Sequence, residues 1–477
     1  MAREKVQRKK KIAHLLREDL VEVRQRISAD PIIEQVAAIA GQKKVPLYLV
    51  GGAIRDLLLG RQVNDYDFVL EKTRMTFLDQ LRDLLGASLF TMGRGKQEQI
   101  YRLVKDDKTV DFAGMLGEDI GQDLERRDFT INAIAYAFDH CRFYADPHAL
   151  DDIKAGRITL ASCGALQADP LRMLRAIRYR CILPGFELTS QLKEEIARRR
   201  ALLSTVAPER IRAELDEIIL SPLPAQGLSL MHELGLLSCV FPELTPLAGL
   251  PQGRHHLTDA LSHTIEIVGE VNILSRKGNP FSFRPTEQEC LILGYAALFH
   301  DLGKPATQSI DEQGEFHFYD HPQQSSHLAL VIMRRLKFTN RVREGVIILV
   351  ENHMRILTLA TGEPLDKALR RLIHAMGVEI RLLILLGLAE TGSKGSGERG
   401  EQKRFMDLCC RIWDLYEKED LISPEPLMRG RDLLAMGHAS GPRLGEILNE
   451  VRQRQIAGEL RTQEEARRFV EEHYIPQ

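Results

Sequence analysis

Two aspartates on alternate positions, in Asn64-Asp65-Tyr66-Asp67-Phe68, follow a diglycine in Tyr48-Leu49-Val50-Gly51-Gly52-Ala53-Ile54-Arg55-Asp56. Both stretches carry strand signals, and residues two apart on a strand share a face. Asp65 and Asp67 are therefore expected to point the same way among apolar neighbours, a costly arrangement unless a cation sits between them. Gly51 and Gly52 let the backbone approach a ligand and aim N–H groups at it. A helix starting near Ala53 adds its positive end, and Arg55 is placed to hold a triphosphate oxygen. A divalent cation beside a phosphate-binding turn is the chemistry of nucleotidyl transfer. Asp65 and Asp67 would hold Mg²⁺, and the attacking group would be an RNA 3′-hydroxyl directed at the α-phosphate of a nucleoside triphosphate. Either motif alone reads as well as a tight turn or a surface carboxylate pair; the combination carries the inference. Asp111, in Val110-Asp111-Phe112 on an expected neighbouring strand, is either a third carboxylate or an orienting group.

Further motifs follow in order. They are Glu125-Arg126-Arg127-Asp128-Phe129-Thr130-Ile131-Asn132, Asp146-Pro147 with Gly156, Asp169-Pro170-Leu171-Arg172-Met173-Leu174-Arg175-Ala176-Ile177-Arg178-Tyr179, and Pro208-Glu209-Arg210-Ile211-Arg212. On spacing, Asp128 caps a helix opened by its motif, and Asp169 and Arg172 are i,i+3 neighbours on another. A plain helix ion pair would share that second geometry. The series resembles the class II tRNA nucleotidyltransferase and bacterial poly(A) polymerase family, densely over about residues 45–220. Looser likeness reaches a tail at Gly430-Arg431-Asp432-Leu433 and Gly441-Pro442-Arg443-Leu444-Gly445.

The resemblance implies roles for these residues. Arg127, Asp128 and Asn132 would hold the ribose 2′-hydroxyl and triphosphate of the incoming nucleotide. Asp169 and Arg172 would read the edge of C or A, with Arg175 and Arg178 completing the nucleotide site. Asp146, Asp151, Gly156 and Arg157 match a loop region that helps switch nucleotide choice, and Glu209 and Arg210 match a bracing motif. Many CCA-adding members carry Glu before the reading Asp, whereas this chain has Ala168, which leaves the choice between C and A open.

The implied activity is template-independent addition of C and/or A, from CTP and ATP, to tRNA 3′ ends. The alternatives are a bacterial poly(A) polymerase, or a split-function enzyme adding only A or only CC. Poly(A) polymerases usually continue from Gly-Arg into Arg-Phe-x-Leu, whereas Gly93-Arg94 leads here into Gly95-Lys96-Gln97-Glu98, and the tail ending at Gln477 is not strongly basic. Outside this class stand an RNA-end hydrolase with a lapsed transferase head, which intact Asp65 and Asp67 argue against, and a tRNA-binding protein without turnover.

A second set of residues clusters downstream. Eight of the fifteen histidines fall between His255 and His353, including the doublet His300-Asp301 after the apolar run Leu291 to Phe299. A lone histidine is more often a core or surface group than a ligand. The order His263, His300-Asp301, His321, His353, with Phe299-His300-Asp301-Leu302-Gly303-Lys304, resembles the HD phosphohydrolase superfamily. Histidine with aspartate suits Ni²⁺, Co²⁺, Mn²⁺ or Zn²⁺. The implied reaction is phosphate-ester hydrolysis, for example of 2′,3′-cyclic phosphates or 2′-nucleotides at RNA ends; a degenerate fold kept as RNA-binding scaffold is the alternative.

The 477 residues predict several compact units. Hydrophobic residues at 44% and charged residues at 28% are ordinary for a globular protein, and the net charge of −2 leaves RNA binding to local basic surface. Candidate clusters are Lys5 to Lys11, Arg172 to Arg180, Arg198 to Arg200 and Arg452 to Arg467, each equally a solvated helix face when taken alone. Seven scattered cysteines without a C-x-x-C pair suggest a reducing compartment, and the absence of a long apolar run predicts no membrane span, so cytoplasmic localisation is the expectation. A monomer or homodimer is expected.

The predicted architecture is an α+β nucleotidyltransferase head, a small mixed sheet with helices, followed by a long all-α body that includes the HD domain. The expected divisions are a helical extension 1–44, a palm 45–160, a helical neck 161–250, an HD domain 251–360 with a boundary near Pro251 to His256, and a helical RNA-binding tail 361–477. Strands are expected at Leu47–Val50, Asp67–Leu70, Ile100–Val104 and Thr109–Phe112, with almost none past about 165, and a flexible loop at Gly392 to Gly400.

Overall fold

A computed structural model describes residues 13–14, 19–71, 75–92, 99–105, 108–252, 258–393 and 399–475. The basic residues Lys5 to Lys11, the stretch Gly93 to Glu98, His255 and His256, and most of the glycine-rich loop lie outside the described residues. The chain forms two compact units, divided between Val206 and Ala207.

The first unit is built on a mixed sheet of β1 (Ala13–His14), β2 (Leu47–Val50), β3 (Asp65–Leu70), β4 (Ser88–Met92), β5 (Ile100–Lys105), β6 (Lys108–Gly114), β7 (Ile134–Ala137) and β8 (Arg142–Ala145). Their order is β1-β8-β7-β2-β3-β6-β5-β4. Only the β3–β6 pair is parallel, in the register Asp67↔Asp111, which places those two side chains on one face. The other face of β3 carries Tyr66 and Phe68, both fully buried, with Phe68 stacked on Phe112 at 5.3 Å. The alternation of polar and aromatic residues along β3 therefore sets which face is core and which is site.

The expected strands all form, but β1, which lies within the extension expected to be helical, and β4, β7 and β8 were not among them. Their signal is weak because β7 is Ile134-Ala135-Tyr136-Ala137, buried on both faces and so without alternation. The expected single N-terminal helix is instead two, Asp19–Ala29 and Pro31–Lys43. Asp30 between them is extended and accepts hydrogen bonds from the Ile32 and Ile33 amides, and Pro31 opens the second helix. The expected division near residue 160 is also absent. The helices up to Arg199 stay with the sheet, because Phe129 packs edge-on against Tyr179 of the helix Arg172–Ile182.

The second unit is helical apart from the short hairpin Gln308–Ile310/Phe316–Phe318. Helices Ala260–Arg276, Glu287–Phe299, Asn340–Ala360 and Ile380–Ser393 surround its core, and the Tyr295 hydroxyl donates to Asp216 at 2.8 Å. The stretch Asp366–Gly392 contains an 18-residue window of mean hydropathy 1.9 and is long enough to cross a membrane, but 67% of that window is buried within the unit. Gly377, at φ +57°, interrupts it, so it reads as core. A separate small core joins Leu433, Ile447, Val451 and Phe469 near the C-terminus.

Gly156 closes the helix Ala149–Ala155 in the left-handed region, at φ +63°, and a Cβ there would meet the Gly185 carbonyl oxygen at 2.6 Å. Gly156→Ala is therefore expected to cost about 1–3 kcal/mol in denaturant unfolding of the first unit. An unchanged midpoint would show that this turn is not held as described.

Candidate functional site

The diglycine turn forms as expected. Gly51 adopts φ +72°, its amide donates to the Ile134 carbonyl at 2.9 Å, and the seven-residue helix Gly52–Leu58 starts beside it. A Cβ on Gly51 would lie 2.8 Å from Arg127 Nη1 and 3.7 Å from Asp67 Oδ2. Glycine is thus required both by the backbone angle and by the Arg127 guanidinium that crosses the turn.

Asp65 and Asp67 share a face, as the spacing predicted, but their surroundings differ. Asp65 is exposed at the start of β3 and Asp67 is half-buried, so only Asp67 lies among apolar neighbours. Burial is the largest influence on Asp67 and pushes its carboxyl up. Arg127 pulls it down, and the charges on Asp111 and Asp65 push it up again. A carboxylate that is disfavoured by burial and by two like charges fits a divalent cation. Asp111 stands in register beside Asp67, and both of its oxygens accept from Arg102, at 2.8 and 2.7 Å.

Asp67 opens onto a cleft of about 800 Å³ that is also lined by Gly51, Gly52, Asp128, Arg172 and Arg175, among others. Arg127, Asn132, Ala168 and Tyr179 also line it. The motif around Asp128 does not open a helix: it makes one 3₁₀ turn, Thr130–Asn132, and passes into β7. That tight turn brings Asp128 Oδ1 within 2.8 Å of the Phe129 amide and 3.0 Å of Asn132 Nδ2. Oδ2 faces Arg175 at 3.3 Å. Burial pushes the Asp128 carboxyl up, and Arg175, Asn132, the Phe129 amide and Arg172 together more than offset it, holding it below its ordinary range. It is a fixed anion with acceptor capacity left over.

Arg55 is a correction. It does not reach into the cleft as a triphosphate ligand. It is 5% exposed, pairs with both oxygens of Asp56 at 3.0 Å, donates to Asn132 Oδ1 at 2.7 Å and lies 5.1 Å from the Tyr179 ring. It positions Asn132, whose amide is thereby held with its nitrogen toward Asp128. Asp169 is a second correction, because Asp169 and Arg172 are not neighbours along one helix. Asp169 is extended between two helices and accepts from the Leu171 amide at 3.3 Å, while Arg172 begins the next helix. Arg172 donates to the backbone carbonyls of Arg126 (2.7 Å) and of Arg127 and Ala165 (3.4 Å each). Asp-Pro before a helix start breaks the helix that i,i+3 spacing assumes. Arg178 lies 4.7 Å from the Tyr179 ring centroid, one residue along the same helix.

Asp123 and Tyr179 were not singled out from the sequence. Asp123 is 6% exposed and meets Arg126 at 3.2 Å and Arg127 at 3.3 Å, which aims both guanidinium groups along the cleft. Its i,i+3 and i,i+4 spacing to those arginines was the available signal.

The second unit brings together all five of the other predicted ligands. His263, His300 and Asp301 have ligand atoms within 4.8 Å of one another, as do Asp301, His321 and His353, and all are buried. The doublet lies just past the end of the helix Glu287–Phe299 rather than on it. Nδ1 of His300, His321 and His353 each meets a backbone carbonyl, of Ala297, Phe318 and Val350, at 2.7–2.8 Å. A carbonyl only accepts, so Nδ1 carries the proton and a neutral ring presents its Nε2 lone pair. Nε2 of His321 and of His353 face each other at 3.1 Å. Burial lowers both, and Asp301 opposes this at His321. Two lone pairs aimed at one point fit a bound cation. At His300 burial lowers the pKa, and the charge and hydrogen bond of Asp301 outweigh it, so the net shift is upward. Lys304 pairs with Asp301 at 2.6 Å. Among the predicted histidines, His317 bonds Asp311 at 2.7 Å on the hairpin and His327 is exposed.

Comparison with known proteins agrees with this geometry. Residues 47–159 match the poly A polymerase head domain, and residues 185–247 match a probable RNA and SrmB-binding site of polymerase A. The chain is 32% identical to a CC-adding tRNA nucleotidyltransferase of Thermus thermophilus, over 88% of this chain and 92% of that one. It is also 32% identical to an A-adding tRNA nucleotidyltransferase of Deinococcus radiodurans, over 89% and 94%. Its fold resembles that of a CCA-adding enzyme solved with CTP, with a TM-score of 0.63, 19% identity and coverage of 97% of this chain and 99% of that one.

Arg55→Met is expected to destabilise the first unit by about 1–3 kcal/mol, because it leaves Asn132 and Asp56 without their buried partner. Denaturant unfolding measures this, and a change under about 0.5 kcal/mol, the range of an ordinary surface substitution, would contradict the role given to Arg55.

Proposed function

The chain belongs to the CCA-adding tRNA nucleotidyltransferase family, and from that premise we propose that it extends tRNA 3′ ends with C and/or A, taken from CTP and ATP. It is a nucleotidyltransferase. The observation that carries the reading is the cleft itself, where Asp67 of β3, a diglycine turn and the Arg127–Asp128–Asn132 group converge, with Asp65 two residues from Asp67 on the same face of the strand.

Asp65 and Asp67 would hold Mg²⁺, with Asp111 beside them. The ion supplies charge neutralisation at the α-phosphate and lowers the pKa of the attacking 3′-hydroxyl. The chain's own groups do the rest. Arg127 lies across the diglycine turn, where it meets the phosphates. Asp128 and Asn132, held rigid by Arg175 and Arg55, each keep hydrogen-bonding capacity for a ribose hydroxyl. Arg172, fixed by three backbone carbonyls, lies beside Ala168 on the base side of the cleft. A site preorganised by such secondary bonds orients nucleotide and hydroxyl without reorganising during the reaction.

The alternative is a single activity: a CC-adding and an A-adding relative are each 32% identical to this chain, beside multifunctional CCA relatives at up to 30%. Ala168, on the cleft wall, then leaves recognition to Arg172 and main-chain groups. Cytoplasmic action fits cysteines that form no disulfide among the described residues.

We further propose that the second unit is an HD-type phosphohydrolase domain that holds Ni²⁺, Co²⁺, Mn²⁺ or Zn²⁺ through His263, His300, Asp301, His321 and His353. The mixed nitrogen and oxygen donor set supports that choice.

Purified protein should incorporate CMP or AMP into tRNA lacking all or part of CCA, and Asp65→Ala and Asp67→Ala should each abolish it. Addition that stops at CC, or that begins only on tRNA ending in CC, would establish the split function. Long A tails on unstructured RNA would overturn the tRNA reading.

After chelation and reloading, the wild type should retain a transition metal through gel filtration, whereas His353→Ala should lose most of it. Equal retention, read by elemental analysis, would refute the metal site.

A further inference from the structure

Arg102 belongs to none of the motifs discussed, yet it ends a row of charged side chains running across three strands. Asp67 on β3 is in register with Asp111 on β6, and Asp111 is in register with Arg102 on β5. Registered partners on adjacent strands project from the same face. Arg102 Nε and Nη2 reach the two oxygens of Asp111 at 2.8 and 2.7 Å, a bidentate grip that fixes the plane of the carboxylate. Each Asp111 oxygen keeps a further lone pair. Arg102 is the cation at one end of the row, and Arg127, over Gly51, is the cation beside Asp67.

The pair is ill placed to serve stability. The Arg102 side chain is 40% exposed, and ion pairs at such a surface contribute little. Its charge acts instead on the carboxylates beside it. An arginine on the third carboxylate opposes a cation held by Asp65 and Asp67, and it also keeps Asp111 from swinging across to that cation.

We propose that Arg102 is a positioning residue of the transferase site, which sets the affinity of the Asp65–Asp67 pair for divalent metal and holds Asp111 in the orientation that turnover requires. The proposal rests on the nucleotidyltransferase reading. Two consequences follow with opposite signs. Removing the guanidinium leaves a more negative site that binds metal more tightly. It also frees Asp111 to rotate, so the reaction slows.

The test uses the full-length chain. Mn²⁺ binding without nucleotide is followed by electron paramagnetic resonance, and the same titration of Asp67→Ala identifies which binding belongs to this site. Arg102→Ala is expected to bind Mn²⁺ about tenfold more tightly at the Asp67-dependent site. At saturating Mg²⁺ its kcat for nucleotide incorporation should fall about tenfold, with KM for the nucleotide unchanged. Arg102→Lys keeps the charge and loses the fork, so it should restore the metal affinity but not kcat. Arg102→Gln replaces the alanine variant should that fail to fold. Unchanged Mn²⁺ affinity in the neutral variants overturns the proposal, because a merely structural arginine would alter thermal unfolding and leave the titration alone. If the wild type incorporates no nucleotide, the transferase reading fails, and the Mn²⁺ titration still decides the role of Arg102.

Discussion

A carboxylate buried as deeply as Asp128 must be met on every side, and the first unit is arranged around meeting it. Its two oxygens take an amide from Phe129, the side chain of Asn132 and the guanidinium of Arg175. Those partners come from the 3₁₀ turn before β7 and from the helix Arg172–Ile182. Asn132 is in turn held by Arg55 from the diglycine helix. One anion thus ties together the turn beside Gly51, the strand that closes the sheet and the helix that walls the cleft. Without the arginines it would be an unpaired buried charge, which costs several kcal/mol. The same charge gives the site a rigid acceptor where a ribose would lie. Stability and recognition therefore depend on one group.

The sheet supplies the complementary half. Alternation along β3 sends Tyr66 and Phe68 into the core and puts Asp65 and Asp67 on the opposite face, where Asp67 lines the cleft. The parallel β3–β6 pair then sets Asp111 beside Asp67. Negative charge accumulates on this face because strand register places it there, and Arg127 and Arg102 offset part of it. The result is a site poised for a divalent cation without being collapsed by its own repulsion.

The second unit uses the same physics with other ligands. Three backbone carbonyls hold the imidazole rings through Nδ1, so that the Nε2 side of each ring gathers with Asp301 around a point where a cation would sit. Those carbonyls come from the residue three positions before each histidine, so each ring is oriented by its own local turn. Helix packing then needs only to bring the turns together.

Several features were legible in the sequence: the strand–diglycine–helix turn, the shared face of Asp65 and Asp67, and the four histidines and one aspartate that cluster in the second unit. These are readable because spacing in a strand fixes a face and because residue type fixes charge and ligand character. Tertiary structure decided what local spacing leaves open. Arg55 looked like a phosphate ligand but is drawn beneath the cleft by Asp56 and Asn132. Asp169 and Arg172 looked like helix neighbours, but Pro170 ends one helix and begins another. The position of Arg102 follows from β5 pairing with β6, and that of Asp123 from a helix end turned toward the cleft. Each of these depends on a partner far away in the chain or on a backbone break, and no one-dimensional pattern encodes which long-range partner a buried charge will take.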